Sequence, residues 1–253
     1  MLHSVADSGG RRRGRRFFCY STGVKVSIII PAINEAGCIG RAVRCARQSG
    51  VREVIVVDGG SNDESMAIAR KSGCRMVSGP RGRGRQMNLG VQKSTAELLL
   101  FLHADTVVPE NFIQLITSTL ARKDVAAGAF SLRINTRCTA LQLVGWGATL
   151  RSRLLALPYG DQGIFTSREY FNQVEGFPEM EIMEDYVFIQ RIKNLGKIVT
   201  LREQVTTSAR RWENVGIVRT TLINQLIVIG YHLKLPPATL ARFYQRARGI
   251  GQK

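Results

Sequence analysis

The segment "VKVSIIIPAINEAGCIGRAVRCARQSGVREVIVVDGGS", residues 24–61, decides the fold class. Residues 24–31 are an apolar run closed by Pro31 and predict a strand with Pro31 as its stop. Residues 37–50 place Ile39, Ala42, Val43 and Ala46 at helical spacing and stop at Gly50. Residues 52–61 return to an apolar run that ends in Asp58, Gly59 and Gly60. Strand, helix and strand at this spacing form a unit with parallel strands, because the helix carries the chain back over the sheet.

The alternation continues outward from there. Ser61 and Glu64 read as a capping box that opens the next helix. Residues 74–79 predict a third strand, 84–94 a helix and 97–105 a fourth strand. A helix with Pro109 at its first turn spans 109–122, and a strand spans 125–134. After 135 the order is less regular: a helix at 139–157, a short strand at 160–167, a helix at 183–196 ended by Gly196, and helices near 212–232 and 237–247. The expected fold is α/β, three-layer α/β/α and Rossmann-like, with a mostly parallel central sheet. No internal repeat or Pro/Gly-rich linker divides the chain, so residues 25–253 are expected to form one domain. Residues 221–233 form the richest apolar stretch, but Asn224, Gln225, Gly230 and His232 interrupt it. It reads as a buried amphipathic helix, since no stretch reaches the ~18 apolar residues of a membrane span.

The net charge of +17 favours phosphates, nucleic acid or anionic membrane surfaces as partners. Residues 1–24 hold five arginines and one acid, Asp7, and the rest of the chain still carries +13. This head reads as a disordered basic extension; an organelle transit peptide, for plastid or mitochondrion, is the other reading of its Arg-rich composition. The five cysteines form no CxxC pair, which argues against a disulfide framework or zinc site and for a reducing, cytoplasmic setting. His3 in the head and His232 in an apolar helix receive no role.

Three predicted strands end in polar groups: Glu35 after the first, Asp58 after the second, and His103 and Asp105 after the fourth. Parallel neighbours would bring these to one crevice, where open α/β sheets bind ligands. GxGxxG and the P-loop pattern are both missing, so a dinucleotide cradle and a P-loop are excluded. Residues 79–88, "GPRGRGRQMN", interleave Arg81, Arg83 and Arg85 with glycines at a helix start. Such a segment suits a phosphate, unless it is only a solvated loop. Asp105 would hold a divalent cation bridging to a diphosphate. Residues 175–185 contain five acids in an otherwise basic chain. Glu184 and Asp185 open a helix there, either as a placed base or simply as complements to its dipole.

These stretches together, with "FLHADT" (101–106), "GDQGIF" (160–165) and "GFPEMEIMEDYVFIQRIK" (176–193), resemble family 2 glycosyltransferases of the GT-A fold. The likeness is to short single-domain members with an HAD form of the metal motif, and it covers about 25–250. It implies a nucleotide-diphosphate sugar donor, with a UDP-sugar as default, Mn²⁺ or Mg²⁺, and inversion at the anomeric carbon. By the same resemblance, Pro31, Asn34 and Glu35 line the nucleoside pocket, and Asp58 with Gly59 meets the base or ribose. Arg81, Arg85 and Asn88 lie near the diphosphate. His103, Ala104 and Asp105 form the metal motif, with His103 and Asp105 as ligands. Asp185 is the catalytic base, supported by Glu184. Asp161 and Gln162 face the acceptor, and Trp212 either stacks on a sugar or belongs to the core. "SARRW" (208–212) has Ser208 where processive synthases have Gln, so single transfers to a small molecule or lipid are expected. Peripheral contact with an anionic membrane is compatible with the charge. Two other readings compete. A sugar nucleotidyltransferase needs a Gly-rich signature with Arg and Lys after the first strand, and residues 31–40 match it poorly. A nucleic-acid-binding protein needs aromatic platforms among its basic residues, and the Arg/Gly segment has none.

Overall fold

The computed structural model describes residues 25–48 and 50–247; the basic head at 1–24, with His3, lies outside them. The chain runs β1 (Val26–Ala32), α1 (Ile39–Ala46), β2 (Val51–Asp58), α2 (Ser65–Lys71), β3 (Arg75–Ser78), α3 (Arg83–Lys93), β4 (Leu98–Phe101), β5 (Thr106–Val107) and α4 (Phe112–Leu120). It continues through β6 (Val125–Asn135), α5 (Thr139–Leu155), a 3₁₀ turn (Gly160–Gln162), β7 (Ile164–Ser167), α6 (Arg168–Gln173) and α7 (Glu184–Lys193). Last come β8 (Lys197–Ser208), α8 (Arg210–Val215), α9 (Ile217–His232) and α10 (Pro237–Ala247).

The strands form one sheet in the order β3-β2-β1-β4-β7-β6-β8-β5. β1 pairs in parallel with β2 on one side and β4 on the other. β7 is antiparallel to β4 and β6, while β6 and β8 are parallel. The strand order reverses between β1 and β4, so the loops at their carboxyl ends part and leave a crevice. β1 is buried along its whole length because both faces of the sheet are covered, which is why its sequence reads as a continuous apolar run. Ile28, Ile30, Leu98 and Leu100 pack on one face with Phe112 and Phe165. Ile29, Leu99 and Phe101 pack on the other with Phe171, Phe177 and Phe188. Phe177 stacks on Phe188 at 4.1 Å between centroids and meets Phe101 edge-on at 4.8 Å. These rings pin the segment before α7 under the sheet and so fix where α7 begins.

Several local expectations are corrected. Pro31 does not stop β1 but lies within it, in register with Val57. The capping box does not form: α2 starts at Ser65, and the Ser61 hydroxyl donates to Asp58 instead. Pro109 precedes α4, where its carbonyl accepts the Phe112 N–H at 3.2 Å. Gly160–Gln162 forms a 3₁₀ turn where a strand was expected. Gly216, with φ of 90°, breaks the expected 212–232 helix into α8 and α9. α9 is buried on one side only, since Leu222 is 57% exposed and Leu226 50%. The twelve-residue β8 was not foreseen. Its pairing with β6 jumps from Ala129↔Thr200 to Ser131↔Gln204, a bulge that destroys the alternation by which a strand is recognised. Among the described residues, no helix is long and apolar enough to cross a membrane.

Candidate active site

The loops after β1 and β2 are built as one unit. Asp58 is 3% exposed, and its carboxylate accepts the N–H groups of Gly60 and Ser61, each at 3.0 Å. It thereby folds its own turn, the local chemistry that favours Asp at such positions. Asn34, in the left-handed region with φ of 54°, donates its N–H to the Ser61 hydroxyl and accepts from Asn62 at 3.0 Å. Glu35 forms an ion pair with Arg210 of α8, which ties the first loop to the far end of the chain. Gln86, 3% exposed, donates to the carbonyls of Ala32 at 2.9 Å and Val57 at 2.7 Å, and so bridges the ends of β1 and β2 under Gly59. Pro31 is buried below these loops.

The first turn of α3 supplies cations. Arg81 is exposed, and Arg85 turns to Glu179 at 3.1 Å on the surface. Arg83, itself half-exposed, is the member of the run whose guanidinium reaches the acids at the start of α7. It lies 4.0 Å from Glu184, with Asp185 and Asp105 close enough to act on it. Desolvation opposes its charge, but Glu184 first, then Tyr244, Asp185 and Asp105, outweigh that and raise its pKa. The loop before α7 packs hard on this turn: a Cβ at Gly84 would lie 2.6 Å from the Pro178 carbonyl oxygen. Asn88 clamps the same loop, donating to the Phe177 carbonyl at 2.8 Å and accepting the Phe177 N–H at 2.9 Å. Its amide is therefore engaged in scaffolding, in place of the expected diphosphate contact.

At the tip of β4, Ala104 is buried while His103 and Asp105 are half-buried. One Asp105 oxygen, Oδ1, accepts from the hydroxyls of Thr106 at 3.2 Å and Thr207 at 3.4 Å. Thr207 comes from β8, beyond reach of the sequence reading. Burial, with Arg83 and Arg211 nearby, holds the His103 imidazole well below its ordinary pKa, so it is neutral near pH 7. A neutral imidazole and a carboxylate with one oxygen free are a donor set that suits a divalent cation. Among the described residues no group of three or more His, Cys, Asp or Glu could hold a metal, so further ligands would have to come from phosphate oxygens and water.

The turn before β7 and the start of α7 close the crevice. Asp185 Oδ2 accepts the Gly160 N–H at 2.7 Å, and Oδ1 accepts its neighbour's N–H, that of Tyr186, at 2.7 Å. A Cβ at Gly160 would stand 2.8 Å from His103 Nε2 and 3.3 Å from Asp185 Oδ2, so only glycine lets the turn approach both. Glu184 is 5% exposed; burial and then the adjacent Asp185 push its carboxyl up to about 7, against the pull of Arg83. Burial also raises the Asp161 carboxyl, while Arg211 and Arg151 oppose the rise. Asp161 Oδ1 is buried without a hydrogen-bond partner. Gln162 is a correction: it is fully buried, donates to the Phe130 carbonyl at 3.0 Å and accepts from Tyr159 at 3.3 Å, so it holds the turn and does not face an acceptor. Trp212 is another. At 6% exposure it packs with Ile134, Leu141 and Ala209 and has no open face for a sugar. Its neighbours in "SARRW" do reach the site, Arg210 through Glu35 and Arg211 beside His103 and Asp161. The arginine pair of this motif is the signal in the sequence that marks the site. Of the five acids at 175–185, only Glu184 and Asp185 lie inside, while Glu175, Glu179 and Glu181 are exposed.

Comparison with known proteins agrees with this architecture. Residues 27–142 match the family described as Glycosyl transferase family 2. The glucosyl-3-phosphoglycerate synthase of Mycolicibacterium smegmatis is 28% identical over 119 residues, 42% of this chain and 36% of that protein. The 4,4'-diaponeurosporenoate glycosyltransferase of Staphylococcus haemolyticus is 29% identical over 108 residues, 39% of this chain and 29% of that protein. The chain thus spans about a third of the length of these curated relatives. Among solved structures, the glucosyl-3-phosphoglycerate synthase of Mycobacterium tuberculosis in complex with Mn²⁺, UDP and glucosyl-3-phosphoglycerate superposes with a TM-score of 0.56. The overlap is at 23% identity and covers 72% of this chain and 71% of that one. The same enzyme with Mg²⁺ and UDP gives a TM-score of 0.54 at 21% identity, covering 72% and 70%. The fold is therefore the expected GT-A arrangement.

Proposed function

We propose that this chain, whose residues 27–142 match glycosyl transferase family 2, moves a sugar from a nucleotide-diphosphate sugar to an acceptor hydroxyl with inversion. The observation that carries the reading is Arg83. This cation at a helix start lies 4.0 Å from Glu184 at the start of α7 and feels Asp185 there and Asp105 from the end of β4 as well. Residues far apart in sequence thus converge on one crevice with separate acidic groups for two tasks.

The loops after β1 and β2, with Asn34 and the turn folded by Asp58, receive the nucleoside. Arg83 and the N–H groups of the α3 start neutralise the diphosphate. A divalent cation, Mn²⁺ or Mg²⁺, held by Asp105, His103 and the donor's own phosphate oxygens, would add positive charge against the leaving group. Asp185 accepts the proton of the acceptor hydroxyl as its oxygen attacks the anomeric carbon. The new C–O bond forms on the face opposite the bond to the diphosphate, which breaks, and the nucleoside diphosphate leaves. Gly160 fixes the Asp185 carboxylate by its N–H and leaves room beside it. The UDP-bound relatives support a UDP-sugar as donor. The acceptor is a small molecule or lipid hydroxyl presented beside Asp161.

Thermal shift with UDP-glucose, GDP-mannose and TDP-glucose tests the reading. A ligand that binds the folded state alone raises the midpoint by mass action. One of the three is expected to do so, and more strongly with Mn²⁺ present. No shift with any of them, with or without the metal, would contradict the proposal.

A further inference from the structure

We infer that the outer face formed by α5, α9 and α10 docks on an anionic phospholipid membrane. The inference does not depend on the transferase reading. On α9 and its C-terminal cap, Val218, Leu222, Leu226, Ile229 and Leu233 are between 50% and 71% exposed. Their spacing of three and four residues puts them on one face, while Ile223 and Ile227 fill the other against the Met183 and Tyr186 region. On α5, Leu143, Trp146, Leu150 and Leu154 form a second stripe, 38–73% exposed. The two helices flank one small core. Val144 of α5 and Ile217 of α9 pack on the same small core around Trp212. Beyond α5, Leu157 shares a cluster with Ile223 and Ile227. Exposed apolar stripes of this kind, rimmed by polar residues, mark protein or membrane contact sites.

Charge identifies the occupant. Residues 125–160 contain four basic side chains, Arg133, Arg137, Arg151 and Arg153, and no acid. Residues 214–247 contain Arg219, Lys234, Arg242 and Arg246, and again no acid. Helices α5, α9 and α10, apolar outward and free of acids, are matched by a surface that offers hydrocarbon beneath negative charge, which is an anionic bilayer. Trp146 fits the boundary between the two, where an amphipathic ring is stable. Beside it opens a cleft of about 350 Å³ lined by Arg133, Arg153, Arg202, Gln142 and Gln204. Arg153 is held by the Ser131 hydroxyl at 2.9 Å, whereas Arg133 and Arg202 have no hydrogen bond or ion pair among the described residues. Arg202 sits in the β8 bulge, next to Glu203, and is aimed outward by it. The cleft would take a lipid phosphate while the stripes enter the headgroup layer.

Co-sedimentation of the full chain with vesicles tests this. Vesicles of phosphatidylcholine with phosphatidylglycerol are compared with phosphatidylcholine alone. Two double variants are used, Leu222→Ser with Leu226→Ser and Arg133→Gln with Arg202→Gln. All four side chains are exposed, so the variants should melt as wild type does. The full chain should bind the anionic vesicles and not the neutral ones. The arginine pair should lower the partition coefficient by roughly fivefold for each charge removed, and the leucine pair should lower it at least as much. Equal binding by wild type and both variants, or equal binding to neutral vesicles, would overturn the inference. So would a wild-type dimer in light scattering that the leucine variant turns into a monomer without any vesicle binding, because a second copy would then cover the face.

Discussion

Glu184 and Asp185 are consecutive carboxylates with different surroundings. Asp185 is met by two backbone N–H groups, whereas Glu184 is buried beside Asp185 with a pKa pushed up to about 7. The unfolded chain ionises Glu184 near its ordinary 4.5, so between 4.5 and about 7 the folded state binds the extra proton. Stability from this group is fully present below 4.5 and is lost as pH rises through about 7. Glu184→Gln, a permanent neutral mimic, should melt with wild type under acid conditions and above it at pH 8, by a few degrees or more at roughly 2–4 °C per kcal/mol. Melting curves of the two proteins across that range check the sign, and a variant less stable at pH 8 would refute it. Asp105 and Asp185 were legible in the sequence because each follows or opens a well-marked element. The choice among Arg81, Arg83 and Arg85 was not, since alternating residues at a helix start differ only in direction. Gln162 was misplaced, and Trp212 left open, for a related reason: residue type announces what a side chain can contact, not whether it is buried.

At the scale of elements, the site depends on holding the segment before α7 against α3. Gly84 permits the close approach, the Phe101, Phe177 and Phe188 rings anchor it, and Asn88 binds both polar groups of Phe177. Asn88→Ala should therefore lower stability by about 1–3 kcal/mol, the cost of unsatisfied buried groups. Donor affinity by calorimetry should change little once the variant is folded. A large loss of donor affinity without loss of stability would restore Asn88 to the diphosphate site. The parallel strands β1, β2 and β4 were readable because burial on both faces leaves unbroken apolar runs. β8 was not, because its bulge breaks the alternation and most of its residues are only half-buried. α9 misled because its apolar residues occupy both of its faces, one inward and one outward.

At the scale of the molecule, the crevice is assembled from the loops after β1 and β2, the start of α3, the tip of β4, the Gly160 turn, the start of α7 and α8. The early part of this set was visible in the order of strands. The contribution of α8, through Arg210 on Glu35 and Arg211 near His103, could be seen only once the chain had folded back on itself. In the proposed function two carboxylates have two tasks, donor and metal for Asp105 and proton removal for Asp185. The most direct test measures donor affinity by calorimetry, with and without Mn²⁺, and single-turnover release of nucleoside diphosphate, in wild type, Asp105→Asn and Asp185→Asn. Asp185→Asn should slow release by ~10²–10⁴ while binding donor nearly as wild type does, because a placed base acts in the transition state. Asp105→Asn should weaken the metal-linked affinity as well as the rate. Release by Asp185→Asn at the wild-type rate, or a defect confined to its donor affinity, would contradict the account, as would unchanged metal-dependent affinity in Asp105→Asn.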